Sequence, residues 1–321
     1  MRAPGGADLR WLIATMLALI ALAPVPLVVR REDLLNLGVV FLLSVALAQS
    51  WNIIAGLAGQ VNLGHAAFFG LGCLVTRSLW VTGTPIALAV AAGAAVATTA
   101  GVGVGLAAFR LRGAYFAMGT LALAEILRVT VGNVLPDIST LPATTIAAYR
   151  LTHRYYAALA LAVLSVLVVA AVGASRLGLG MRAVREDEAA AEASGVGAFG
   201  LKLAAVALST ALAGLAGGVF AYYHISFYLQ HPFSPAWTFD AVLITFIGGV
   251  GTLQGPVLGA AFYVLLKEYL AVRWVDVHLL IFGVLFMAIV IALPGGLSEA
   301  VQRVAGRLAT SRRDAGARLT G

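Results

Sequence analysis

Runs of about twenty residues with scarcely a charge dictate what this chain can fold into, because that is the helical length that crosses a bilayer. The segment Ala158–Gly173, ALALAVLSVLVVAAVG, is apolar on every face. A barrel strand would instead alternate apolar and polar residues over about ten positions. Only 11% of the 321 residues are charged and 61% are hydrophobic. That is too little charge to coat a water-exposed surface, for which about a quarter is usual. The expected fold is an all-α integral membrane protein, one polytopic bundle of about eight to ten transmembrane helices spanning residues 1–321.

Measured against that length, spans are expected at 11–29, 34–54, 58–80, 86–109, 114–133, 155–174, 201–223, 238–254, 257–271 and 277–293. The apolar run after Arg10 reads as a retained first helix, because Pro24 would follow the cleavage point of a signal peptide. The pair around GGVGTLQGP is open to three readings: a helix break, a re-entrant turn or a tight hairpin.

Basic residues mark orientation. With ten spans, one side holds Arg2, Arg10, Arg110, Arg112, Arg176, Arg182, Arg185, Lys202 and the tail from Arg303 to Arg318. The other holds Arg30, Arg31, Arg150, Arg154, Lys267 and Arg273. The excess places both termini, the loop 175–200 and the basic tail 298–321 in the cytoplasm. The net charge of +7 comes from these flanks, and no basic patch interleaved with aromatics points to nucleic acid.

The loop Ser175–Lys202 is the most polar stretch between spans. Its centre, Arg182–Ala193, is rich in helix formers and is expected as one short helix. Arg182 with Glu186, and Arg185 with Glu188, have the spacing to pair on its surface. Gly195 sits where a C-terminal cap belongs. Val184, Ala189, Ala190 and Ala193 make the less polar side. Such a helix is either a solvated connector or a docking surface for another protein.

Three further segments place polar groups or glycines at membrane depth. Trp51–Gly72 sets Gln60, Asn62 and His65 among glycines, which suits close helix packing or the wall of a translocation path. Leu111–Arg128 carries Tyr115, Thr120 and an intramembrane Glu125, with Arg128 one turn on. That carboxylate serves as an internal ion pair or as a functional group. Phe246–Phe262 carries a glycine turn: Gly248, Gly249, Gly251, Thr252, Gly255 and Pro256.

These strings resemble the permeases of branched-chain amino acid ABC importers, the M-type subunit more than the H-type. Gln60, Leu63, Gly64, His65, Ala66, Phe68, Phe69 and Gly70 fit a GQ-x-x-LGHA-x-FFG pattern. Arg112, Gly113, Tyr115, Phe116, Thr120, Leu121, Glu125 and Arg128 fit LRG-x-YFA-x-x-TLA-x-x-E-x-x-R. The glycine turn fits GG-x-GT-x-x-GP-x-x-GA. The resemblance spans about Leu35 to Gly296 in four motifs. It implies that Arg182, Arg185, Asp187, Glu188, Ala190, Glu192 and Gly195 form an ATPase-coupling loop. It also implies that Gln60, Asn62, His65, Tyr115, Thr120 and Glu125 line the path.

The implied partners are a second homologous permease, two cytoplasmic ATPases and an extracytoplasmic solute-binding protein, with the chain multi-pass in a bacterial inner membrane. No cofactor is expected in this chain; ATP and magnesium would sit on the ATPase subunits. The implied cargo is branched-chain or related amino acids. The connector GNVLPDISTLPATTIAAYR lacks a TGG-x-x-GL stretch that the resemblance leads one to expect, so urea and amides stay open as cargo, as does an ion-coupled secondary transporter using Glu125.

Catalytic chemistry has little foothold. Neither lysine, Lys202 or Lys267, follows a phosphate-cradling glycine loop. His65, His153, His224, His231 and His278 lack zinc-protease spacing. The single cysteine, Cys73, forms no internal disulfide and no metal site.

Overall fold

The computed structural model describes residues 6–29, 31–111, 113–273, 281, 283, 284, 287 and 295–302. The chain is a helical bundle. In order it forms α1 (Gly6–Ile20), α2 (Val25–Val28) and α3 (Glu32–Trp51), which runs on as a wide π-helical turn, Asn52–Leu57. Then follow α4 (His65–Val81), α5 (Ile86–Ala108), α6 (Ala114–Val134), strand β1 (Ile138–Thr140), α7 (Ala143–Ala147) and α8 (Leu151–Ala174). The polar pair α9 (Arg176–Glu186) and α10 (Glu188–Ala193) leads into α11 (Ala198–Tyr223). Strand β2 (Ser226–Tyr228), α12 (Pro235–Gly248) and α13 (Gly255–Arg273) complete the described elements. Among the described residues, six helical stretches are long and apolar enough to cross a membrane, and the shorter α4 and α12 are apolar too. The last expected span, 277–293, falls outside the described residues apart from isolated positions, as does the tail from Arg303.

α3 and α11 are the buried centre. α8 lays Tyr155, Ala158, Ala162 and Val166 against Val39, Leu42 and Ala46 of α3. Lipid is as apolar as these side chains, so burial alone does not hold helices together here; close fit does. The fit is made by small residues. A Cβ on Gly217 of α11 would run into the Phe69 carbonyl of α4, and one on Gly214 would lie 2.6 Å from the Ala97 Cβ of α5. The three helices therefore touch almost backbone to backbone.

α12 and α13 form a tight hairpin, which resolves the three readings of the glycine segment. Ser234 caps α12 through the Ala236 amide, with Pro235 at the first helical position. At the end away from α9, β1 and β2 pair antiparallel, Ser139 opposite Phe227, and tie the α6–α8 connector to the end of α11.

Two expectations need correction. The third span does not start at residue 58. Residues 58–64 run irregularly and α4 begins at His65. The polar loop is two helices, not one: Asp187 stands in extended backbone and accepts from the Ala190 amide at 3.0 Å as the N-cap of α10. A helix cannot continue through a residue that caps its successor. The pairs Arg182–Glu186 and Arg185–Glu188 do not form. Arg182 donates to the Gly173 carbonyl, Arg185 to that of Gly56, and Glu188 bonds Lys202.

Candidate functional site

The site forms where three segments far apart in sequence meet. The first is the end of α3. After Trp51 the chain widens into the π turn, and the Gly59 and Gln60 amides donate to the Ala55 and Ile54 carbonyls at 3.1 and 2.9 Å. The Gly56 carbonyl points outward. It accepts the Arg185 guanidinium of α9, whose stem packs against Gly59.

The second segment is the α12–α13 turn. Asn52 grips it with both ends of its amide: Oδ1 accepts from the Gly251 N–H at 2.8 Å and Nδ2 donates to the Thr252 carbonyl at 2.9 Å. One turn earlier, Gln49 Nε2 donates to the Leu253 carbonyl at 2.8 Å. Three consecutive residues of the turn are thus held by α3 and its extension. Gly251 has φ +79°, and a Cβ there would lie 2.5 Å from Arg185 Nη1 and 2.9 Å from the Gly56 carbonyl oxygen. Glycine is required at this point for conformation and for space. Thr252 closes the turn, donating to the Gly249 carbonyl at 2.8 Å and accepting from the Gly255 amide at 3.1 Å.

The third segment is α9–α10. Met181 and Val184 face inward, and Ala191 packs on Ala198. Ala189, Ala190, Glu192 and Ala193 stay exposed on α10, and Gly195 ends it at φ +82° with its amide on the Glu192 carbonyl. The expected less polar side is thereby split: Val184 anchors α9 while the three alanines face out. The short pair is bolted down at its junction, by Arg185 near the end of α9 and by the Lys202–Glu188 ion pair at the start of α10.

Deeper in the bundle, the irregular segment 58–64 finds partners for its backbone. Trp51 Nε1 donates to the Asn62 carbonyl at 2.8 Å, Asn62 Oδ1 accepts from the Gly64 amide at 2.8 Å, and Thr120 Oγ1 accepts from the Leu63 amide at 3.2 Å. Non-helical backbone at membrane depth survives only with such partners. Ser50 gives its one hydroxyl proton to the Leu47 carbonyl, so the fully buried His65 ring donates to Ser50 Oγ from Nε2, at 2.7 Å. That assignment leaves His65 Nδ1 as an acceptor without a partner.

The path residues expected from sequence therefore separate. Asn62, His65 and Thr120 come together at the break. Gln60 sits beside the π turn, on the Ala58 carbonyl. Tyr115 and Glu125 lie on the other, exposed side of α6, with Glu125 bonded to Arg128. Sequence reasoning missed Gln49, Ser50 and Asn52. Their signal was present: three amide and hydroxyl side chains within four residues of an otherwise apolar span.

Against known families, residues 33–290 match the model of the branched-chain amino acid transport system / permease component. The chain belongs to this family. The permease is 26% identical over 316 residues to the high-affinity branched-chain amino acid transport system permease protein LivM of Salmonella typhimurium, covering 88% of this chain and 74% of that protein. The LivM of Escherichia coli is 27% identical over the same shares. The probable branched-chain amino acid transport permease protein LivM of Methanocaldococcus jannaschii is 27% identical over 130 residues, 36% of this chain and 38% of that one. No solved structure matches the permease. The family match makes it a multi-pass membrane subunit of a transport assembly and agrees with the helical architecture.

Proposed function

We propose that this permease forms the translocating half of an ATP-driven importer and that α9–α10 is the seat of a cytoplasmic ATPase. The cargo is a branched-chain or closely related amino acid, the substrate class that the relatives' names carry. The assembly holds a second permease, two ATPases and an extracytoplasmic binding protein. Both termini and α9–α10 face the cytoplasm, on the side that carries most of the arginines.

The observation that carries the reading is the bond from Arg185 to the Gly56 carbonyl, at the contact with Gly251. A displacement of α9–α10 is delivered in one step to the π turn and, through Asn52, to the α12–α13 turn. A flexible connector would absorb such a movement; a helix bolted to two irregular membrane segments transmits it. The break at 58–64 and His65 lie one turn beyond, so the push reaches the candidate path directly. Glu125 already bonds Arg128 through both carboxylate oxygens, which favours a motor-driven transporter over one that loads ions on Glu125.

The test is Arg185→Ala and Arg185→Lys in the reconstituted assembly. The expected result is normal assembly, ATP hydrolysis retained and uptake reduced at least tenfold, with partial recovery in the lysine variant. Wild-type uptake by Arg185→Ala would refute the coupling role.

A further inference from the structure

α6 carries a face that does not suit lipid. The helix runs from Ala114 to Val134, about 31 Å at 1.5 Å per residue, so Glu125 lies about 16 Å from its start, near the bilayer centre. There Arg128 Nε donates to Glu125 Oε2 at 2.8 Å, and a second bond joins Nη2 to Oε1. The two side chains nevertheless remain 43% and 36% exposed, Glu125 and Arg128 respectively. Around them Tyr115, Met118, Ala122, Ile126 and Val129 are exposed at spacings of three and four, so they share one face of the helix with the pair. Ala122, Glu125, Ile126, Val129 and Thr130 line a shallow groove of about 440 Å³ along it. The opposite face, with Phe116, Thr120, Ala124 and Val131, is buried.

α5 and α8 differ. α5 contains no charged residue and exposes Leu88, Val96 and Leu106; α8 exposes Leu164 and Leu167 at mid-length. Those faces suit acyl chains. A charged pair at mid-depth needs protein or water instead.

We propose that this face of α6 is the seat of a second, membrane-spanning permease chain, and that the Glu125–Arg128 pair lies in a wet seam between the two. The inference rests on the transport-assembly reading and deepens it by naming the surface. Depth selects the occupant. An ATPase on α10 and a binding protein at the opposite end both stay outside the bilayer, about half its thickness from Glu125. Only a chain that itself spans the membrane reaches the pair. The seam is narrow and rich in small residues at Gly119 and Ala122, which lets a partner helix approach closely, while the open hydrogen-bonding capacity of the ion pair gives that partner something polar to meet.

The test is a photo-crosslinking amino acid, p-benzoylphenylalanine, placed at Ile126 in the intact assembly in native membranes, with Leu88 of α5 as the control. The expected result is an adduct at Ile126 whose second peptide maps to a permease chain, a copy or a sibling, and lipid adducts alone at Leu88. Lipid adducts alone at Ile126, or an adduct to any other class of protein, would overturn the proposal. As a second measurement, the double variant Glu125→Leu/Arg128→Leu should lower recovery of the partner permease on purification at least tenfold. Unchanged recovery would count against the seam, because an apolar pair suits lipid better than the charged one. The crosslink reads contact and not transport. It is therefore unaffected if uptake proves independent of ATP, which would sink the functional reading alone.

Discussion

Lys202 and Glu188 meet at 2.7 Å across the junction between α10 and α11, with the lysine side chain only 6% exposed and the carboxylate 30%. The ammonium also stands 5.5 Å above the Phe109 ring at the end of α5. One pair thus fixes the surface helix to a membrane span and to its neighbour. Replacing Glu188 by Gln leaves a buried cation without its counter-charge, at a cost of about 1–3 kcal/mol. The permease should still insert, but α10 should loosen. Proteolysis within 187–197 should accelerate several-fold and ATP-driven uptake should fall. Unchanged cleavage and uptake would show that the pair does not anchor α10.

Asn52 offers a second test, on stability. Its amide satisfies two backbone groups of the glycine turn, Gly251 N–H and Thr252 C=O. Asn52→Leu strands both and adds bulk to a fully buried site. The expected loss is about 2–4 kcal/mol, roughly 1–2 per stranded group, read as a lower midpoint of thermal unfolding in detergent. Asn52→Asp should keep the acceptor toward Gly251 and lose the donor toward Thr252, and so retain part of the stability.

The glycines of the permease are not equivalent. Gly251→Ala puts a side chain at φ +79° beside Arg185 and the Gly56 carbonyl, whereas a Cβ on Gly103 of α5 meets nothing within 4 Å. Gly251→Ala should cost at least about 1 kcal/mol and depress uptake beyond its effect on stability. Gly103→Ala should be neutral or stabilising by up to about 1 kcal/mol, since alanine is the better helix former. Equal behaviour of the two variants in thermal shift and uptake would remove the argument that Gly251 is a contact point.

Much of this architecture was legible in the sequence because bilayer thickness is a simple ruler. The spans at 86–109, 114–133, 155–174 and 201–223 fall within a few residues of α5, α6, α8 and α11. Hydropathy says nothing about where a span is interrupted inside, however, so that ruler starts α4 at residue 58 instead of His65. Gln60 and Asn62 among glycines resemble a polar helix face when the real reason for them is an irregular segment needing partners. Spacing pairs the charged residues of the loop locally, while the fold sends Arg182 back to the Gly173 carbonyl, Arg185 to that of Gly56 and Glu188 to Lys202. The cap at Gly195 was locally readable and ends α10 as expected, whereas the N-cap at Asp187 breaks the single helix that the composition of the loop suggests. The convergence of Arg185, Gly56 and Gly251 depends on contacts more than sixty residues apart in sequence, which no local pattern contains.

The end of the molecule opposite α9–α10 is built to keep a histidine neutral. His224 follows α11; its ring lies 4.2 Å from that of Phe220 and 4.7 Å from that of Tyr223, and its carbonyl accepts from Arg77 at 2.5 Å. Burial pushes the imidazole down to about 4, assisted by the neighbouring His231 and the Arg77 guanidinium, and burial lowers His231 as well. An unfolded histidine titrates near 6.5. Between those values the unfolded chain binds the proton and the folded one does not, so stability present above about pH 6.5 is lost as the pH falls toward 4. For His224 alone the loss at pH 5 is at most about 2 kcal/mol, because proton uptake is only partly expressed at that pH. The wild-type unfolding midpoint in detergent should therefore drop between pH 7 and pH 5. His224→Asn, which has no proton to take up in this range, should show a shallower drop, and the double variant His224→Asn/His231→Asn a shallower one still. Parallel curves for all three would mean that acid destabilises the permease elsewhere.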